Sequence, residues 1–330
     1  MFGIMVVSAA LSSCLSNTGT AACLMPDVVG ISAAAKIPAS RQLMPLAYAA
    51  GIGGVITMVG TPPNIIVSGV LTSFGYESFS FFEFAWIGIP LTFVVIAYMM
   101  FIGKYLLPKA ELDADQEIEQ EIEATVTDSK KQIVSGLILA VCIIVMALDL
   151  KAISLEMTAI VGALVCVLTG CLTEKQAYSA IDWVTIFLFA GMMPVSAAMD
   201  KTGAGKLIAE WAVSLMGGSP TPIIMTSVLF IISCTLTQFM SNTAACALLA
   251  PVGVAISQQL GASPKAVLMA IGVAASCAFA TPVGTPPCTL VLGPGGYKFM
   301  DYVKVGVPLV VLCFIVSIIV IPMVWPFFPG

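Results

Sequence analysis

The chain is 330 residues long, 59% hydrophobic and only 9% charged, with no histidine, and its mean hydropathy is +1.05. Soluble globular domains carry about 25% charged residues, so the composition excludes a soluble domain and points to an all-α polytopic membrane protein embedded in the lipid bilayer. The net charge of −5 comes from one segment: residues 108–131 hold eight acids and three bases, while the other ten acids and ten bases cancel.

The first charge-free run, 1–26, carries LSNTGTAACLMPDVVGI from Leu15, with the polar tip Ser16-Asn17-Thr18 inside apolar sequence. It reads as a helical hairpin entering the membrane and returning. The run 42–76 is too long for one span of ~20 residues and is interrupted by GTPPN at Gly60–Asn64. Two consecutive prolines after Gly-Thr end one half-helix and start another. Backbone exposed in this way is tolerated at membrane depth only where protein or a water-filled cavity covers it. A single span near 84–106 follows, and then 108–131, an acidic linker. Spans are expected near 132–149, 155–172 and 183–199, followed by an amphipathic stretch at 200–216. The long run 211–264 is broken by Ser241-Asn242-Thr243, a second hairpin tip, and 266–297 is broken by GTPPC at Gly284–Cys288. A last span covers 305–330, giving about seven crossings in all. The ten cysteines are scattered singly, with no CxxC, and read as free thiols packed as small apolar side chains.

The chain says nearly the same thing twice. Ser16–Ile31 matches Ser241–Ile256 at eight of sixteen positions, at an offset of 225, and TMVGTPPNIIVSG from Thr57 matches TPVGTPPCTLVLG from Thr281 at an offset of 224. Each unit is thus a hairpin tipped by SNT followed by a helix broken at GTPP. Five crossings separate the two hairpins, so they are expected to enter from opposite faces as an inverted repeat. Placing Lys36 and Arg41 in the cytoplasm puts nine of the thirteen bases inside, as the positive-inside rule favours. The expected organisation is an incomplete first repeat at 1–107, an acidic cytoplasmic linker at 108–131 and a complete second repeat at 132–330. The first is read as incomplete because three spans and the amphipathic stretch precede the second hairpin, while only fifteen residues precede Ser16.

Inverted repeats whose broken helices meet at the midplane are the usual construction of secondary transporters. Helix N-termini offer positive partial charge to carboxylate or sulfate oxygens, and freed carbonyls with side-chain oxygens suit a hard cation such as Na⁺. One SNT alone would be an ordinary N-cap, and one GTPP an ordinary kink; two copies of both, in order and at one spacing, argue for a site. A membrane-embedded enzyme would need a catalytic dyad, yet the chain has no histidine, no HExxH and no GxSxG. Nothing in the pattern points to nucleic acid.

The paired SNT and GTPP motifs resemble the divalent anion/sodium symporter family within the ion transporter superfamily. The resemblance implies sodium-coupled symport of a small divalent anion by an elevator-type movement, with Na⁺ as coupling ion, no organic cofactor, an inner-membrane location and a homodimer. Carried over by position, it implies a first sodium site at Ser12, Ser16, Asn17 and the Gly60 carbonyl. A second would use Thr237, the Met240 carbonyl, Asn242 and the Gly284 carbonyl. The anion would meet Asn17, Thr18, Asn242 and Thr243, with Thr61, Pro62, Thr285 and Pro286 close by. Ser12 precedes Ser16 and Thr237 precedes Ser241 by one helical turn, which fits both sites independently. Two positions depart from the pattern: Cys288 stands where the first copy has Asn64, and Asp27 stands where the second has Val252. The Cys288 departure leaves the second break one polar group short.

Two SNT tips without a fixed guanidinium can each hold one carboxylate, so C4-dicarboxylates rank first among substrates, citrate second and sulfate third. The alternatives are an anion exchanger, a proton-coupled carrier on the same fold, or a truncated remnant that does not transport.

Overall fold

The computed structural model describes residues 1–108, 129–148, 153–181, 183–204 and 221–328, with 207, 210, 211 and 214 between the last two segments. Most of the acidic linker and much of the amphipathic stretch 200–216 lie outside the described residues. All regular structure among the described residues is helical.

The first hairpin is α1 (Phe2–Ser12) and α2 (Asn17–Ala34). The broken helix follows as α3 (Leu43–Gly53), a 3₁₀ turn at Gly54–Ile56 and α4 (Pro62–Ser73). Pro62 and Pro63 open α4, where a missing N–H costs nothing and φ is already helical. The long helix α5 (Ala85–Leu106) completes the N-terminal part. Next come α6 (Ser129–Ala147), α7 (Leu155–Leu168), the short α8 (Glu174–Ala180) and α9 (Trp183–Thr202). The second hairpin is α10 (Pro222–Leu236) and α11 (Asn242–Gln259), followed by the broken helix α12 (Pro264–Ser276) and α13 (Pro286–Leu292), and then α14 (Phe299–Val324).

Among the described residues three helices are individually long and apolar enough to cross a bilayer: Ala85–Leu106, Lys130–Ala147 and Phe299–Val324. The span expected at 155–172 is a 14-residue helix, about 21 Å long against a core of ~30 Å. Glycine explains the early end, because Gly170 takes a positive φ of 72° just past the helix. One further pair passes the same test together, Asn17–Ala34 with Ala39–Ile56, bent by 120° between them.

α3 and α12 are the centre of the molecule. Every residue of α3 is buried, and α12 is buried from Pro264 to Ser276 except at Lys265. Both are rich in Ala and Gly, which lets backbones approach closely where lipid supplies no hydrophobic drive to pack. A Cβ on Gly53 would stand 2.5 Å from Ala9 Cα, so α1 crosses α3 at a separation only glycine permits. Large apolar side chains lie outside: Trp86, Phe93 and Phe101 on α5, and Ile315, Ile319 and Met323 on α14, are exposed. That is the pattern of a lipid-facing surface.

The two units grip each other reciprocally. α4 packs against α11 and α12, and α13 packs against α2 and α3. The half-helix that follows each GTPP is therefore lodged in the other unit. Cys246 Sγ lies 3.6 Å from Pro63 O across this contact, and a Cβ on Gly272 would meet Val67 at 3.3 Å.

Candidate functional site

Helix α1 stops at Ser12, and Ser16 starts α2 as its N-cap, its Oγ accepting from Gly19 N at 3.0 Å. Asn17 thus becomes the first helical residue, and its carboxamide reaches back toward α3. Ser12 Oγ lies 2.7 Å from Ala50 O and 2.8 Å from the Asn17 carboxamide atom facing it. That atom also stands 3.1 Å from Gly60 O and 3.2 Å from Ala50 O. Which end of an amide occupies such a position is set by its surroundings. With nitrogen there, Asn17 donates into the cluster and satisfies it. With oxygen there, four oxygens converge with a single hydroxyl proton among them, an arrangement that a cation between them stabilises. Gly54 makes this convergence possible: a Cβ on it would overlap the Asn17 carboxamide and come 2.8 Å from Gly60 O.

The second unit repeats the cluster. Ser241 caps α11, accepting from Ala244 N at 3.2 Å. Thr237 Oγ1 lies 2.7 Å from Ala275 O and 2.8 Å from the facing carboxamide atom of Asn242. That atom is 3.1 Å from both Ala275 O and Gly284 O. The likeness extends outward. Ser8 Oγ donates to Leu46 O at 3.2 Å and Ser233 Oγ to Ile271 O at 3.0 Å. Thr57 Oγ1 donates to Ser13 O, and Thr281 Oγ1 to Gln238 O at 2.6 Å. Each pair is related by the same offset of 224 or 225 residues as the sequence motifs.

Thr61 and Thr285 are the N-caps of α4 and α13, yet neither makes a side-chain cap hydrogen bond. Both hydroxyls are buried without a partner. An unmade hydrogen bond of this kind costs about 1–3 kcal/mol, and here it occurs at equivalent positions of the two units. A packed contact runs between the two clusters: Gly60 is three residues before Pro63, whose carbonyl meets Cys246, one helical turn beyond Asn242.

The clusters bring together Ser12, Asn17 and Gly60 in one unit and Thr237, Asn242 and Gly284 in the other, and each adds a carbonyl that the motifs did not name, Ala50 or Ala275. The Ser16 hydroxyl is exposed and engaged as a cap. Met240 lies in the turn before Ser241, its amide donating to Leu236 O at 3.1 Å. Thr18 is exposed, whereas Thr243 is buried; Pro62 is half-buried and Pro286 exposed. Asp27 sits on an exposed position of α2. Carbonyl ligands leave no mark in residue type. The signal for Ala50 and Ala275 was the repeat itself, which places an Ala-Ala pair at the same offset in both copies. Among the described residues no group of three or more Cys, Asp or Glu side chains could hold a metal ion, so these clusters are built from neutral oxygens.

Comparison with known proteins bears on what such a site belongs to. The family model described as citrate transporter, CitMHS, matches residues 1–155 and 141–328. A Haemophilus influenzae protein described as an uncharacterized transporter is 33% identical over 95% of this chain and 70% of its own length. The sodium-dependent dicarboxylate transporter SdcS of Staphylococcus aureus is 26% identical over 100% of this chain and 70% of its own length. The Alcanivorax borkumensis YdaH transporter has the same fold, with a TM-score of 0.67, 16% identity, and coverage of 99% of this chain and 79% of that one. With its apolar exterior and its broken helices, the chain is a multi-pass integral membrane transporter rather than an enzyme, and it belongs to the CitMHS citrate transporter family.

Proposed function

We propose that the chain is a sodium-coupled symporter of divalent organic anions, with C4-dicarboxylates as its first substrates. The observation that carries this reading is the pair of matched oxygen clusters at Ser12, Asn17, Ala50 and Gly60 and at Thr237, Asn242, Ala275 and Gly284. In this reading each cluster takes one Na⁺, which turns the Asn carboxamide oxygen inward and its NH₂ outward, where the second N–H, beside the 3.4 Å contact of Asn17 Nδ2 with Gly51 O, can meet the anion. Cation and anion then share Asn17 and Asn242, and binding is reciprocal by linkage. The first amides of α2 and α11 have no intrahelical acceptor, and with Thr18, Thr243 and the unpartnered Thr61 and Thr285 hydroxyls they offer donors to two carboxylates.

The organisation proposed with it is 1–107 and 132–330 as two inverted repeats joined by the linker 108–131, moving their shared site across the membrane as an elevator. The SdcS relatives, named sodium-dependent dicarboxylate transporters, support the sodium and dicarboxylate parts; the citrate transporter family supports citrate as a competitor. Uptake of labelled succinate into proteoliposomes tests the proposal. An inward sodium gradient should drive accumulation, and unlabelled succinate, malate and fumarate should compete more strongly than citrate or sulfate. Uptake driven equally by a proton gradient without sodium, or only by internal anion, would replace symport with the proton-coupled or exchange reading.

A further inference from the structure

The two helix breaks are held by different amides. In the first unit Asn64, fully buried on α4, donates from Nδ2 to Thr57 O at 2.8 Å and approaches Val55 O at 3.4 Å and Gly54 O at 3.5 Å. It reaches back over the break and ties its carbonyls to the half-helix that follows. The second unit has Cys288 at this position, equally buried, and a thiol does not replace three amide contacts. Its break is held from the other side. Gln238, in the hairpin tip beside Thr237, donates from Nε2 to Cys277 O at 3.1 Å and Cys234 O at 2.9 Å, and its Oε1 accepts from Ala280 N at 2.9 Å. Its own carbonyl accepts from Thr281 Oγ1, and that hydroxyl in turn accepts from Gly284 N at 3.2 Å. The first unit has Ser13 at the position of Gln238, and its hydroxyl stays local, donating one turn back to Ala10 O at 2.7 Å and meeting Cys14 Sγ at 3.5 Å.

We infer that Gln238 is the positioning residue of the second cluster: it does from the hairpin tip what Asn64 does from α4 in the first, and this exchange is what lets a cysteine stand at 288. The consequence is mechanical and rests on the sodium reading above. In the second unit the cluster ligand Thr237, the break and the Gly284 carbonyl are tied into one body, so that cluster is preformed. In the first unit the break is tied to α4, and the hairpin tip joins α3 and the break through Ser12–Ala50, Asn17–Gly51 and Thr57–Ser13 hydrogen bonds, with no side chain in the role of Gln238. The first cluster, which lacks this additional tie, is therefore the one that depends more on sodium to complete it.

Backbone amide hydrogen exchange on the full chain in detergent, with neither sodium nor anion, tests the staple independently of any transport reading. Gln238→Met keeps the bulk of the side chain and removes its hydrogen bonds. Exchange in 277–284 should rise about tenfold, the effect of losing roughly one net buried hydrogen bond's worth of protection, with 54–60 unchanged. Adding Cys288→Asn should restore protection, because the introduced carboxamide would face the carbonyls equivalent to those Asn64 serves. The reciprocal pair keeps the test open if the first fails to fold: Asn64→Cys should loosen 54–60, and Ser13→Gln should tighten it again. In proteoliposomes, Gln238→Met should raise the sodium half-saturation about tenfold with the maximal rate within twofold, and Cys288→Asn should reverse this. Unchanged exchange in Gln238→Met, or a folded double variant that Cys288→Asn does not restore, overturns the inference. A wild-type carrier indifferent to sodium overturns the symport reading alone, since the exchange result stands apart from it.

Discussion

Gly54→Ala is the most direct test of the first oxygen cluster. The added Cβ would overlap the Asn17 carboxamide and lie 2.8 Å from Gly60 O, where an unstrained contact is about 3.5 Å. The Gly60 carbonyl must therefore retreat by about 0.7 Å, and the Asn17 amide by more. Losing one well-placed oxygen against a charged partner costs about 1.5–3 kcal/mol, equivalent to a ten- to hundredfold rise in the sodium concentration at half-maximal uptake. At saturating sodium the maximal rate should suffer much less. The second unit already has Ala278 at the equivalent position, so its cluster is built around a methyl group and Ala278→Gly should shift the sodium response less than twofold. Gly51→Ala, one turn earlier on α3, is the control: its Cβ would meet only Phe279 Cε1, at 3.6 Å. A folded Gly54→Ala carrier whose sodium dependence matches that of Gly51→Ala would refute the first cluster as a cation site.

Thr61→Val and Thr285→Val remove hydroxyls that have no protein partner; each should leave the melting temperature unchanged or higher while raising the KM for succinate about fivefold or more, read from uptake and a thermal scan. Ser8→Ala and Ser233→Ala delete equivalent buried hydrogen bonds; each should cost about 1 kcal/mol, and the pair should add within ~0.5 kcal/mol in chemical unfolding. Gly306→Ala would press a Cβ onto Phe279 O and to 2.6 Å from Ala280 Cα, displacing the carbonyl that accepts from Tyr48 Oη at 2.7 Å. A destabilisation of about 1–3 kcal/mol is expected, seen as a lower melting temperature.

The elements carried by side-chain pattern were legible in the sequence. The SNT tips and GTPP breaks stand at the ends of α2, α4, α11 and α13 because Ser caps and Pro-Pro starts are local chemistry. The apolar exterior followed from composition. What pattern alone did not reveal depends on contacts between distant segments. The Ala50 and Ala275 carbonyls belong to residues whose type says nothing about what their oxygens face. The reciprocal lodging of α4 and α13 is a property of packing, in which small residues fit many partners. The Cys288 departure reads as a missing polar group in sequence, and only the structure shows Gln238 reaching the same break from the hairpin. The Ser16 hydroxyl also serves as the cap that aims Asn17, a role that follows from its place before the helix.

Reciprocal lodging also bears on how two such clusters could act together. Each break carbonyl, Gly60 or Gly284, faces an Asn of its own unit, but the half-helix that continues from it is held by the other unit. Drawing Gly60 O toward a cation therefore pulls on α4, whose Pro63 carbonyl touches Cys246 one turn from Asn242. The displacement needed is a few tenths of an ångström, and a close-packed contact transmits it because such interiors compress little. Two sites joined in this way need no flexible linker between them for occupancy of one to be felt at the other. If both clusters hold cations, coupling along Gly60 to Pro63 would be equal in both directions by thermodynamic necessity. A carrier built so would release its cations and its anion as a set, because loss of either ligand loosens the Asn side chains that hold the other.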